Sequence, residues 1–117
     1  MLKKVNRLKK RYQFNYVYKA GEHFSGKAVT LYVTPSKTKY VKVGFAVTKK
    51  IGHAIKRNLF RRRLREIMRK QLPNLKQNYN IIVVARDQIV QYEFGFIERE
   101  VINLLTKANL YKDEKIN

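Results

Sequence analysis

Two short segments of this chain alternate between apolar and polar residues, which is the pattern of half-buried β-strands. These segments cover residues 28–33 and 41–48, and the loop at 35–39 between them predicts that they pair as a hairpin. A continuous apolar run at 81–85 is typical of a central strand. We therefore expect a sheet with helices on one face and an open second face, on which Tyr32 lies.

Helical spacing of apolar residues predicts three helices. The first covers about residues 11–20 and ends at Gly21. The main helix runs from about 56 to 71 and is stopped by the following Leu72-Pro73. A third, amphipathic helix follows residue 94, where apolar residues recur as far as Ala108.

The charge of the chain is concentrated in its first part. The net charge is +19, and residues 1–70 carry 21 Lys or Arg against only Glu22 and Glu66, whereas residues 71–117 are neutral. Such a surplus repels itself and favours a polyanionic partner, with nucleic acid ahead of an anionic membrane. Without cysteine the chain has no disulfides or thiolate metal sites. No secretory signal or membrane-spanning run is visible, so we expect a soluble, cytoplasmic protein.

The main helix divides into two faces when it is stepped at 100° per residue. The apolar stripe for the core consists of Phe60, Leu64, Ile67 and Met68. One exposed side carries Asn58, Arg61, Arg62, Arg65 and Arg69, which we call the arginine face. The alternative is a solvated face laced with salt bridges, but it needs nearby acids and only Glu66 is available. The arginine face therefore favours phosphate binding, for which guanidinium groups are well shaped.

The residues that lead into this helix are also basic. Lys49, Lys50 and Lys56 flank the entry loop, in which Gly52 permits a tight path. They could equally be ordinary surface lysines. Arg57 would point toward the core stripe, so we expect the helix to begin near it and free its side chain.

The chain resembles a known family in segments that occur in the expected order. They are Asn6-Arg7-Leu8-Lys9, Lys49-Lys50-Ile51-Gly52-His53-Ala54-Ile55-Lys56-Arg57-Asn58, and Ile81-Ile82-Val83-Val84-Ala85-Arg86. They are similar to the bacterial ribonuclease P protein component. The resemblance implies an α+β sandwich with a mixed four-stranded sheet and three helices, in the order α-β-β-β-α-β-α with a left-handed β-α-β crossover. We expect one domain over residues 1–117, with a basic arm at 1–11 that is mobile unless bound and a mobile tail at 112–117.

The resemblance also implies a function and its residues. The protein would be the subunit of a ribozyme that removes the 5′ leader from precursor tRNA, with Mg²⁺ held mainly by the RNA and no small-molecule substrate. Contacts with the catalytic RNA are expected from Arg57, Asn58, Arg61, Arg62, Arg65, Arg69, Lys49 and Lys50. The leader-binding cleft is expected to contain Phe14, Tyr18 and Tyr32, with Lys19 and Arg86 as basic flanks. Phe14 and Tyr18 could alternatively only anchor the first helix to the sheet.

The residues give no sign of a catalytic site in the protein itself. A protein-only ribonuclease needs paired histidines or clustered carboxylates, whereas His23 and His53 lie on separate loops and the acids lie mostly after residue 86. We therefore expect the RNA to carry the chemistry. A ribosomal or RNA-chaperone protein and a DNA-binding module, whose charged helix would enter a major groove, remain alternatives.

Overall fold

Three helices and four strands follow one another in the order α-β-β-β-α-β-α in the computed structural model, which describes residues 2–112. Their bounds are Arg11–Ala20 (α1), Glu22–Ser25 (β1), Val29–Pro35 (β2), Lys42–Ala46 (β3), Ala54–Gln71 (α2), Tyr79–Ala85 (β4) and Phe94–Lys107 (α3). The four strands form one mixed sheet in the order β1-β2-β4-β3. The expected fold class, element order and three predicted helices are confirmed.

The central strand of the sheet is the one with the continuous apolar run. β4 pairs antiparallel with β2 and parallel with β3, and Ile81, Ile82 and Val83 are completely buried. The predicted hairpin between the second and third strands is therefore wrong, because β4 lies between them. This arrangement covers both faces and both edges of the most apolar segment, which buries more apolar surface than a hairpin of two half-polar strands.

The true hairpin partner of β2 is β1, which apolar alternation does not reveal. Three of the four residues of β1 are polar and exposed, and only Phe24 packs against the core. β3 and β4 are joined through α2, as the β-α-β resemblance implied. The hand of that crossover stays a prediction.

The main hydrophobic core lies between one face of the sheet and the helices α2 and α3. The predicted stripe of α2 is buried, with Leu64, Ile67 and Met68 at 0% exposure and Phe60 at 4%. From α3, the core takes Ile97, Val101, Leu104 and Leu105. The predicted apolar faces of both helices are thus confirmed.

The second face of the sheet is partly covered, which corrects the expectation of helices on one face only. α1 lies on this face, where Val17 is fully buried against Ile82 and the Phe14 ring lies directly over Gly44. At its end, a Cβ on Gly21 would come within 2.5 Å of the Val17 carbonyl oxygen and 2.8 Å of that of Val33, so only glycine fits. Since Gly21 has φ of −82°, this close approach and not a left-handed cap requires the glycine.

Beside α1, a trough of short side chains lies on this face, in which Ser25 is exposed, Ala46 and Val84 are half-buried and Thr30 is buried. The strand register places Ser25 beside Thr30, Thr30 beside Val84, and Val84 beside Ala46. Small residues across four strands leave room above the sheet next to the aromatic residues of α1.

The N-terminal arm is packed against the free edge of β3, which corrects the expectation of a mobile segment. Leu2 is buried in the main core, whereas Leu8 is buried with α1 on the second face. The Leu8 N–H donates to the Val43 carbonyl oxygen at 3.0 Å, and the Asn6 side-chain amide donates to the Val41 carbonyl oxygen at 2.8 Å. Two buried leucines and these hydrogen bonds hold the arm and cover an edge strand.

At the other end of the chain, Lys112 is tied down by a backbone hydrogen bond to Asn74. The rest of the predicted mobile tail, residues 113–117, lies outside the described residues. Within residues 2–112, the helices are too short or too polar to cross a membrane.

The contact between Phe14 and Gly44 can be tested by adding one methyl group. Gly44→Ala should lower the free energy of unfolding by about 1–3 kcal/mol, because the methyl overlaps the Phe14 ring and displaces it. The matched control is Gly95→Ala, whose methyl would meet only the end of the Arg99 side chain at 3.6 Å. Urea unfolding measures both variants, and equal stabilities would contradict this packing.

Candidate nucleic-acid interface

The arginine face lies on the solvent side of α2, directly behind the helix's buried stripe. Arg62, Arg65 and Arg69 are exposed, and Arg61 is half-buried. The Arg61 guanidinium donates to the Asn58 side-chain oxygen at 2.9 Å, one turn earlier on the same helix. A shallow cavity follows this face from Asn58 to Glu66.

Acidic residues compensate little of this charge. Residues 2–112 contain two ion pairs, Arg69 with Glu66 and Lys70 with Glu98. The hydrogen bond from Arg69 holds the pKa of the Glu66 carboxyl below its usual range, and the same contact raises the pKa of Arg69. Among the described residues no acid pairs with Arg61, Arg62 or Arg65, so their charge is available to a ligand.

Arg65 lies near the guanidinium of Arg7 as well as that of Arg61, and the sequence did not suggest the contribution of Arg7. Partial burial lowers the pKa of Arg65, and the positive charges of Arg61 and Arg7 lower it further. An arginine remains charged in proteins, and the contributions of Arg61 and Arg7 show that three positive charges lie close together here. Arg7 of the N-terminal arm therefore adds to the arginine face.

The residues at the start of α2 are placed differently from the sequence expectation. Because α2 begins at Ala54, Arg57 is already inside the helix, and its side chain is half-buried with Nε out of contact with water. The expectation that its side chain is freed is therefore wrong. Lys49 and Lys50 are exposed in a short 3₁₀ turn, which ends at Gly52 with φ of 142°. This left-handed φ requires glycine.

The three aromatic residues expected in a cleft lie together on the second face of the sheet. The Tyr18 and Tyr32 rings meet edge to face with centroids 4.8 Å apart, and the His23 ring lies 5.7 Å from that of Tyr32. Partial burial raises the pKa of Tyr18, and Tyr32 raises it further. Tyr18 is still 39% exposed. Phe14 and Tyr18 thus anchor α1 and also present ring surface beside the trough.

The two expected basic flanks differ in their freedom. Lys19 is exposed on α1, next to Tyr18. Arg86, at the end of β4, is half-buried and donates to the Gly26 carbonyl oxygen at 3.0 Å. Gly26 belongs to the turn between β1 and β2. The Glu100 carboxylate of α3 also binds this turn, because it accepts hydrogen bonds from the backbone N–H groups of residues 27, 28 and 29 at 2.6–2.9 Å. Arg86 therefore borders the trough at a fixed position.

A cavity of about 450 Å³ lies between the arginine face and Phe14, one of the three residues of what we call the aromatic cleft, with Tyr18 and Tyr32. Arg61 and Arg65 line one side, Phe14 and Gly44 line the other, and the arm with Arg7, Leu8 and Lys9 lies between. Sequence reasoning missed the arm's role in this surface. The signal was present in Leu2 and Leu8, the apolar residues that anchor an otherwise basic segment.

No group of three or more His, Asp or Glu side chains within residues 2–112 is close enough to bind a metal ion. His23 lies in β1 beside Tyr32, whereas His53 precedes α2. The groups that the described part of the chain brings together are aromatic rings, as in Tyr18 and Tyr32, and guanidiniums, as in Arg61 and Arg65.

Comparisons with known proteins agree on one family. The family model described as Ribonuclease P matches residues 2–109. The ribonuclease P protein component of Natranaerobius thermophilus is 35% identical over 109 residues, which cover 93% of this chain and 95% of that protein. That of Alkaliphilus oremlandii is 36% identical over 109 residues, covering 93% and 96%.

Solved structures show the same fold. A Staphylococcus aureus RNase P protein mutant with defective mRNA degradation activity superimposes with a TM-score of 0.86 at 27% identity, covering 92% of both chains. The RNase P protein from Thermotoga maritima superimposes with a TM-score of 0.77 at 25% identity, covering 86% of this chain and 96% of that one.

Proposed function

This chain belongs to the family of bacterial ribonuclease P protein components, and we propose how its two surfaces serve that family's reaction. Members are protein subunits of the RNA-based endoribonuclease that processes the 5′ end of tRNA together with ribonuclease P RNA. The arginine face, with Lys49, Lys50 and Arg57 at its start, binds the ribonuclease P RNA. The cleft around Tyr18 and Tyr32 binds the 5′ leader of precursor tRNA.

The uncompensated charge of the arginine face is the observation that supports RNA binding most strongly. Arg61, Arg62 and Arg65 have no acidic partner within residues 2–112, so their guanidiniums repel one another in the free protein. Phosphates relieve this repulsion, and the release of condensed counterions adds to the affinity. The orienting contact from Asn58 to Arg61 leaves the remaining guanidinium N–H groups available for phosphate oxygens.

The shape of the second face supports a single-stranded ligand in the cleft. A trough of small side chains, flanked by the rings of Tyr18 and Tyr32, offers stacking surface for unpaired bases. Lys19 and Arg86 supply positive charge at its borders for the phosphates. Base stacking tolerates any sequence, which suits leaders of different sequence.

Within this proposal the protein supplies no reacting group. In the holoenzyme, Mg²⁺ held mainly by RNA phosphates would supply the hydrolytic chemistry, and no side chain of this protein is proposed to hold it. The protein positions the leader beside the ribonuclease P RNA and offsets the repulsion between the two polyanions. Arg7 and Lys9 of the arm line the cavity between the arginine face and Phe14, so they place positive charge between the two proposed RNA-binding surfaces.

A cleavage assay at low magnesium concentration tests the proposed role. Ribonuclease P RNA and precursor tRNA should react faster when the protein is added, because lysine and arginine side chains replace part of the magnesium needed for phosphate screening. Cleavage that does not increase with protein would refute the proposal and favour an RNA chaperone or a DNA-binding module.

Removal of two guanidiniums tests the arginine face. Arg61→Ala with Arg65→Ala should weaken binding of ribonuclease P RNA roughly 10- to 100-fold, because two charge-assisted contacts are lost. The slope of log affinity against log salt should fall by about two. Arg99→Ala with Lys107→Ala on α3 is the control, since it removes the same charge from another surface. The same loss in both double variants would show that only net charge matters.

The cleft is tested by comparing two RNAs. Tyr32→Ala should weaken binding of leader-bearing tRNA to the holoenzyme roughly tenfold, from the loss of base stacking, while binding of mature tRNA stays unchanged. Tyr92→Ala is the control, because this ring stacks on Phe96 away from the cleft. Fluorescence titration gives both affinities, and equal losses for the two RNAs would exclude a leader-specific cleft.

A further inference from the structure

A second cavity, of about 690 Å³, opens near the far end of α2. It lies between the arm, the loop before β3 and the residues that follow α2. Its apolar lining includes Val5, Tyr40, Leu72 and Pro73, and we call it the Tyr40 pocket. Tyr40 is 42% exposed and Val5 is 45% exposed, so large apolar surfaces face solvent inside a concavity.

The rim of the Tyr40 pocket is positively charged. Lys3, Lys39, Lys112 and Arg69 line it, and no acid is among the described residues that do so. Arg69 is already bound to Glu66, which leaves the three lysines. The Lys39 ammonium lies 5.6 Å from the centre of the Tyr40 ring, and that of Lys112 is held 3.2 Å from the Pro73 carbonyl oxygen.

The Tyr40 pocket combines an aromatic ring and apolar side chains with lysines at its rim. These groups complement the base and the phosphate of one nucleotide. A base can lie on the Tyr40 ring, while its phosphate is bound by ammonium groups at the rim. The volume lies within the range of about 300–1,000 Å³ that is usual for small-ligand sites. A peptide would instead need backbone hydrogen-bonding groups, and the Asn6 and Gln77 side chains at the pocket are already bonded to the backbone of Val41.

The position of the pocket indicates which RNA supplies the nucleotide. Arg69 belongs both to the pocket lining and to the arginine face. It lies about 12 Å along the helix axis from Arg61, so a strand bound on the arginine face reaches the pocket within a few nucleotides. We propose that the Tyr40 pocket binds one unpaired nucleotide of ribonuclease P RNA. This inference rests on the proposed binding of that RNA by the arginine face.

Substitution of the ring tests the pocket. Tyr40→Ala should weaken binding of ribonuclease P RNA by the full-length protein roughly tenfold, whereas Tyr40→Phe should retain most of the affinity, because the stacking surface remains. Tyr12→Ala is the matched control, since Tyr12 is 66% exposed on α1 and lies outside the pocket. Thermal unfolding checks that the variants are folded. Unchanged affinity for Tyr40→Ala, or an equal loss for Tyr12→Ala, overturns the proposal.

A tethered cleavage reagent identifies the ligand directly. The chain has no cysteine, so Lys37→Cys places a single thiol in the loop beside Tyr40. An iron–EDTA group on this thiol should cut ribonuclease P RNA at one short run of nucleotides, which the same group at Lys107→Cys does not cut. Cuts confined to precursor tRNA, or the same cuts from both positions, overturn the assignment.

The Arg61 and Arg65 double variant, measured in parallel, separates the two proposals. If this variant binds normally, the arginine face itself is wrongly assigned and the pocket proposal falls with it. If this variant loses affinity while Tyr40→Ala does not, the arginine face stands and the pocket alone is refuted.

Discussion

The structure depends on the burial of one side of α2. This burial keeps the helix in place although the arginines on its exposed side repel one another. Four large apolar side chains of this helix are almost completely buried, and each stabilises the fold by about 1.5–3 kcal/mol. A like-charge pair one turn apart on a helix surface costs only about 0.2–0.5 kcal/mol. Burial therefore outweighs repulsion, and the helix keeps a cationic surface that the acids within residues 2–112 compensate little.

The same helix connects β3 to β4, and β4 takes the place beside β2 that the predicted hairpin gave to β3. Because β4 enters between β2 and β3, the most apolar strand is enclosed and β3 is left at an edge. The N-terminal arm covers that edge, with one leucine buried on each face of the sheet. As a result, Arg7 and Lys9 of the arm lie between the arginine face and Phe14 of the aromatic cleft.

Several features of the site could be predicted from particular residues. The positions of Phe60, Leu64, Ile67 and Met68 define the buried side of α2, and the arginine face follows from it by helix geometry alone. The location of Tyr32 opposite the core also follows from strand alternation. These predictions succeed because periodicity depends on the local backbone and not on which segment lies alongside.

Other features depend on partners that are distant in the sequence. The polar residues of β1 give no strand signal, yet β2 pairs with them. In the sequence, Tyr40 has the pattern of an ordinary loop residue. Only the fold places the arm and the end of α2 beside it, which forms the pocket. Nothing in the sequence around Gly44 indicates that the Phe14 ring occupies the space where a side chain at position 44 would lie. The contacts of Tyr40 and Gly44 join segments that are far apart in the sequence, and β1 is polar although it lies close to β2, so no local pattern records any of the three.

The sequence by itself determined the helices, the central strand, the charge distribution and the family, because these depend on residue types at fixed local spacing. The tertiary structure alone decided the strand order, the docking of the arm and the junction of the two surfaces. Those features follow from competition among segments for buried positions, in which the segment with the most apolar surface takes the centre of the sheet.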